Sequence, residues 1–221
     1  MEQSPLAMEL LTLLGEEEAA GGIEIGGGIA LWHYSPHRQT NDIDARWPKE
    51  NEACREAISR VVANVADRHG LEVFHRAQSG YESWDLKRSA KTVFAFQIAR
   101  KSRRLEPPLP SPWGRLQMES LRENIANKMT ALVQRGAPRD FLDIAAVLRK
   151  GLLAARDCWS LWQEKNPDFS VKLGRANILK YLNALEARRP LATILDDSER
   201  EQARATRELI RGFVEERRDG D

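Results

Sequence analysis

Four of the six residues at positions 107–112 are proline: Pro107, Pro108, Pro110 and Pro112. Each fixes φ and removes a backbone donor, so no regular helix or interior strand can run through the stretch, and it reads as a boundary or linker. The patterns on its two sides differ. Upstream, β-branched and aromatic runs predict strands at 71–76, 81–87 and 91–99, with shorter ones at 23–25 and 42–47. Helices are expected there at 6–20, 28–34 and 50–69. Downstream, helical periodicity accounts for almost everything, in segments 119–135, 139–150, 154–165, 171–188 and 199–217. The chain therefore reads as an α+β domain with a small mixed sheet over 1–106, followed by an all-helical domain over 107–221, without internal repeats.

Composition narrows the class. At 221 residues and 42% apolar, the chain can bury an ordinary core, and dominant disorder is excluded. Thirty-four basic residues stand against 33 acids, so bulk charge points to no partner and local distribution must decide. The two cysteines, Cys54 and Cys158, are far apart and lack metal-ligand spacing, which suits buried thiols in a reducing cytoplasm. The apolar run around Leu10, Leu11, Leu13 and Leu14 is too short to span a bilayer and meets Glu16, Glu17 and Glu18, so no membrane or export segment is expected.

The chemistry concentrates in two places. Gly26-Gly27-Gly28 opens a helical run, and Asp42-Ile43-Asp44 follows it closely. In an extended segment Asp42 and Asp44 project to one face while Ile43 points to the other. Two parallel carboxylates can share a hard divalent cation such as magnesium, and glycines at a helix start offer free N–H groups to phosphate. A solvated strand edge beside a flexible turn would use the same residue types.

The second place is a helical hairpin. Gly136 can close one helix and Pro138 can open the next, gathering Lys128, Arg135, Arg139, Asp140 and Asp143 about one turn. Lys128 lies off the apolar stripe of Ile125, Met129, Leu132 and Val133. Asp140 also suits plain helix-start electrostatics, and Lys128 also suits a surface position.

Both stretches resemble the AbiEii/AbiGii family of toxin nucleotidyltransferases, a branch of the polymerase-β-like superfamily. The similarity lies in Gly27-Gly28-Ile29-Ala30-Leu31 leading through His37-Arg38-Gln39-Thr40 to Asp42-Ile43-Asp44, and in Asn127-Lys128-Met129-Thr130-Ala131-Leu132 preceding Arg139-Asp140-Phe141-Leu142-Asp143. It spans residues 21–148. The resemblance implies a small mixed-sheet nucleotidyltransferase domain, with Asp42 and Asp44 holding catalytic magnesium, Gly27 and Gly28 cradling phosphates, and Lys128 contacting the triphosphate. Asp140 is the remaining essential acid by the same resemblance, and Arg38, Thr40, Arg139 and Asp143 join the nucleotide site. The helical domain would thus contribute Lys128 and Asp140. Arg38 can equally clamp Asp44. The wider superfamily often has a third carboxylate on a later strand, where this chain carries Val93-Phe94-Ala95-Phe96-Gln97-Ile98. Gln97 cannot act as a general base, so another acid such as Asp140 supplies that role or activity is weak.

The implied reaction moves a nucleoside monophosphate from an NTP to an acceptor, for several relatives the 3′ end of tRNA, with a cognate antitoxin encoded nearby. Lys87, Arg88, Lys91, Arg100, Lys101, Arg103 and Arg104 form an acid-free basic stripe suited to RNA, flanked by Tyr81, Trp84 and Trp113 as stacking candidates. A strand edge guarded by cations fits the stripe equally well. Transfer to a protein or small molecule, or non-catalytic nucleotide binding, are the other readings. Trp159 and Trp162, three apart, are expected in a core or interface.

Overall fold

The computed structural model describes residues 2–47, 52–100 and 103–215. In chain order the elements are α1 (Pro5–Glu16), β1 (Glu24–Ile25), α2 (Gly27–Tyr34), β2 (Asp42–Arg46), α3 (Glu52–His69), β3 (Glu72–Gln78), β4 (Tyr81–Arg88) and β5 (Lys91–Ala99). They continue with β6 (Leu109–Pro110), β7 (Gln117–Met118), α4 (Leu121–Gln134), α5 (Pro138–Arg149), α6 (Ala155–Lys165), α7 (Val171–Arg188) and α8 (Asp197–Glu215). The chain divides into two compact units, Met1–Asn124 and Ile125–Asp221. This is a mixed α/β fold with one seven-stranded sheet.

In the first unit the strand order is β3-β4-β5-β2-β1-β7-β6, with β2/β5 and β1/β7 parallel and the other neighbours antiparallel. Period-2 alternation sorts the side chains. Ile43 and Ala45 of β2, Phe96 and Ile98 of β5, and Trp84 and Leu86 of β4 share one cluster with the apolar stripes of α1 and α3. Those stripes are Leu10, Leu11 and Leu14 on α1 and Ile58, Val61, Val62 and Val65 on α3. Burying one such side chain is worth about 1.5–3 kcal/mol, so this cluster holds the sheet. Trp84 meets Phe96 edge to face at 5.9 Å, and its indole N–H donates to Ser59 Oγ at 3.1 Å.

The proline-rich stretch, expected as a domain boundary near 106, lies inside the first unit. Its Leu109 and Pro110 form the outermost strand, where a missing N–H harms no ladder. The compact units instead divide near the start of α4. The first expected helix is also shorter: α1 ends where Glu17 turns extended, and Glu18–Ala20 form a separate 3₁₀ turn. Expected residues 50, 51, 216 and 217 of two helices lie outside the described residues.

The second unit is helical throughout its described elements. Trp159 and Trp162 are buried and meet edge to face at 5.7 Å, and Trp159 stacks on Phe213 of α8 at 5.2 Å. This is the core position expected for the tryptophan pair. Cys54 and Cys158 are free and buried, and burial pushes their thiols up to about 11 and about 12. Neither is poised as a nucleophile. Among the described residues no helix is long and apolar enough to cross a membrane.

Candidate active site

In the first unit the glycine turn and the strand carrying Asp42 and Asp44 converge on one point. Gly27 takes φ +59° at the start of α2, and a Cβ built there would stand 2.1 Å from Asp44 Oδ2. Only glycine admits both that backbone and that carboxylate. The Gly26 N–H donates to the Asp44 carbonyl at 2.8 Å, so loop and strand are tied at backbone level too. Asp42 and Asp44 are each half-buried and alternate with the buried Ile43 and Ala45, as expected. The Thr40 hydroxyl donates to Asp42 Oδ1. A Cβ on Gly28 would lie 3.2 Å from both Arg38 Nη2 and Thr40 Oγ1. Gly27, Gly28, Arg38, Thr40, Asp42 and Asp44 therefore form one constellation.

The 35–41 loop is anchored from the N-terminal segment. Gln3, buried, accepts through Oε1 from the backbone N–H of Thr40 and of Ser4, each at 2.9 Å. Sequence reasoning gave Gln3 no role, because nothing in its local pattern marks a contact with residues so distant in sequence. Beside the acid pair, the β2/β5 register sets Gln97 opposite Asp44. A neutral amide thus stands next to the carboxylates. Among the described residues no group of three or more His, Cys, Asp or Glu could hold a metal.

Below the glycines lies a buried acidic network that the sequence did not announce. Glu119, 1% exposed, sits where a Cβ on Gly26 would be 2.6 Å from its carboxylate. Asn124 Nδ2 donates to Glu119 Oε2 at 2.7 Å and to the Gly27 carbonyl at 3.1 Å, bridging acid and turn. Tyr34 donates to the Glu119 carbonyl at 2.9 Å. Burial raises the Glu119 carboxyl above its ordinary range, against Arg46 and the Asn124 bond, while Glu24 and Glu123 push the same way as burial. Burial likewise raises Glu24, which pairs with Arg104.

In the second unit the hairpin gathers its charged residues in two separate sets. Lys128 is buried and its Nζ lies 2.7 Å from Asp143 Oδ2, the carboxylate fully buried. Asp140 instead receives Arg135 Nε at 2.9 Å and Nη2 at 3.0 Å, together with the Ala137 N–H at 3.0 Å. That is a helix-start clamp, the plainer of its two sequence readings. Arg139 is exposed.

The basic stripe is split. Lys87, Arg88 and Lys91 surround the β4–β5 turn, while Arg100 follows β5, Arg103 is exposed and Arg104 is engaged by Glu24. Lys101 lies outside the described residues. Two of the three stacking candidates are corrected: Trp84 is 1% and Trp113 6% exposed, because both point into the core. An aromatic that the sheet does expose is Phe74 on β3, at 49%.

A family model described as "Nucleotidyl transferase AbiEii toxin, Type IV TA system" matches residues 22–219. The chain belongs to that family. Nucleotidyl transfer is accordingly its activity, and an antitoxin partner and a nucleotide substrate come with the family. No curated protein sequence matches it. Among solved structures, one assigned as an H. pylori nucleotidyltransferase superposes with a TM-score of 0.53 at 14% identity, covering 96% of each chain. An antigenic nucleotidyltransferase-like protein from Paracoccidioides brasiliensis is at 0.36 and 17%, with 89% of this chain and 94% of that one covered. The H. pylori likeness shows a shared fold.

Two predictions follow from the AbiEii site. Glu119 keeps a proton in the folded chain at pH values where the unfolded chain, near 4.5, has released it. Wild-type stability therefore falls as pH rises above that value, whereas Glu119→Gln lacks this component. Thermal melts at pH 5 and pH 8 should show the variant gaining on the wild type at the higher pH; an equal difference at both would sink the claim. Removing Asp143 from the buried Lys128–Asp143 pair strands the Lys128 ammonium and should destabilise by about 3–5 kcal/mol. The double variant Lys128→Met, Asp143→Leu should recover most of that in urea unfolding while Asp140→Ala alone loses about 1–2 kcal/mol.

Proposed function

We propose that this AbiEii chain is a magnesium-dependent toxin of the cytoplasm that transfers a nucleoside monophosphate from an NTP to the 3′ end of a tRNA, releasing pyrophosphate. The observation that carries the reading is the seating of Asp44 against the side-chain-free Gly27, with Asp42 on the same face of β2. This donor set fits a hard cation. Two oxygen ligands on one strand leave the remaining positions to water and phosphate oxygens, which is how magnesium binds nucleotides. When bound, the ion would be held by Asp42 and Asp44 and would offset the negative charge of the transferring phosphate.

The chain's own residues supply the rest. Free N–H groups of Gly27 and Gly28 at the start of α2 suit phosphate oxygens, helped by the helix dipole. Thr40 fixes the orientation of Asp42 by its hydroxyl bond. Arg38, beside Gly28, adds positive charge there. Lys128 is assigned to the triphosphate by the family resemblance, with Asp143 orienting its ammonium. Asp140, the remaining essential acid by the same resemblance, is held by Arg135 and the Ala137 N–H. Phosphoryl chemistry needs chiefly positioning and charge stabilisation, so Gln97 in place of a third acid is compatible with turnover.

The test incubates the protein with magnesium, total RNA and each α-labelled NTP in turn, beside an Asp42→Ala, Asp44→Ala variant. Label should enter a tRNA-sized band with wild type only, at least about 100-fold above the variant, and EDTA should abolish it. Label in protein instead of RNA would overturn the acceptor, and no label with any nucleotide would overturn the reaction.

A further inference from the structure

We propose that Phe74, with Arg76 and Lys87 on the same face of the sheet, is the platform on which the unpaired end of the RNA acceptor rests; this builds on the RNA-acceptor reading above. The sheet register places it. Asp42 lies opposite Ala95, Ala95 opposite Asp85, and Asp85 opposite Phe74. Asp44 continues in the same way through Gln97 and Ser83 to Arg76. Residues directly opposite each other point to the same face, so Phe74 and Arg76 share the face of the acid pair. Three strand spacings separate them, about 14 Å. That is within reach of a few nucleotides of a strand whose end is at Asp42 and Asp44.

The chemistry of this corner suits single-stranded RNA. Phe74 is 49% exposed, and Lys87 Nζ stands 4.3 Å from its ring centroid, so aromatic surface and cation are already assembled. Arg88 lies beyond this face, its Nη2 donating to the His69 carbonyl at 3.3 Å. Arg76 is anchored on Asp85 at 2.7 Å yet remains half-exposed. The register sets Glu72 opposite Lys87 and Asp85 opposite Phe74, so Arg76 and Lys87 are the cations this face offers to the phosphates beside a stacked base. An aromatic ring stacks on any base, while cations track the backbone, which matches a conserved-chemistry, sequence-tolerant RNA end.

The experiment measures transfer kinetics against tRNA for wild type, Phe74→Ala, Phe74→Trp and an Arg76→Gln, Lys87→Gln variant, with thermal melts confirming folding. Phe74→Ala should raise the KM for RNA about tenfold, leaving kcat and the KM for NTP within about twofold, and Phe74→Trp should restore it. The charge variant should weaken RNA binding and flatten its salt dependence by about 1.4 in log–log slope. Unchanged RNA KM in both Phe74→Ala and the charge variant, with wild type active on RNA, would overturn the platform alone. Wild type that labels protein or nothing overturns the RNA reading and the platform with it.

Discussion

Asp44 can lie over the first turn of α2 because residue 27 carries no side chain. The approach is closer than any Cβ tolerates, at 2.1 Å to the carboxylate oxygen, and the backbone at +59° is one that side chains resist. Two otherwise independent features are thereby locked together: the strand that aims the carboxylates and the helix start that offers N–H groups. The Gly26 N–H on the Asp44 carbonyl repeats the tie in the backbone. On separate supports, the proposed metal seat and phosphate cradle would need separate bracing. Here one contact sets both.

That contact rests on acidic side chains taken out of water. Glu24, Glu119 and Glu123 are all at most 4% exposed, with Arg104 on Glu24 and Asn124 linking Glu119 to the Gly27 carbonyl. Burying such groups is unfavourable unless they are bonded, so the network trades stability for a turn of fixed shape. The second unit shows the same trade in the Lys128–Asp143 pair, where a buried ammonium lies 2.7 Å from a buried carboxylate. Asp140 is different in kind. Its bonds go to Arg135 and Ala137, and they hold the turn that presents Lys128 and Asp143 on neighbouring helices.

The sequence made legible what depends on local period and turn chemistry. β5 and α7 fall at the expected residues, and the alternation of Asp42, Ile43 and Asp44 is as period 2 requires. What it could not give is anything set by long-range pairing. Leu109 and Pro110 become a strand only because β7 lies alongside, and no local pattern indicates that neighbour. Trp84 looked like a partner for bases because it sits among basic residues, yet its place on β4 turns it to α3. Nothing local marks Glu119, at the start of an expected helix, as the acid that the fold brings against Gly26. The roles of Asp140 and Asp143 also separated only in space, since three positions on one helix turn leave them side by side in sequence.

The two outer strands of the sheet bear on how an acceptor could be received. One edge, β6, is two residues long and contains Pro110, a blunted end that resists further pairing. The other edge, β3, runs for seven residues without proline, exposed along its whole length, with Val73 and Phe74 both open to solvent. Glu72 and Arg76 discourage another strand from adding there, but they do not hide the ring. An edge guarded by charge against β-pairing while still displaying an aromatic surface admits a ligand that stacks rather than pairs. A nucleic-acid strand is such a ligand: it offers base faces to Phe74 and phosphates to Lys87, and it has no backbone amides with which to extend the sheet.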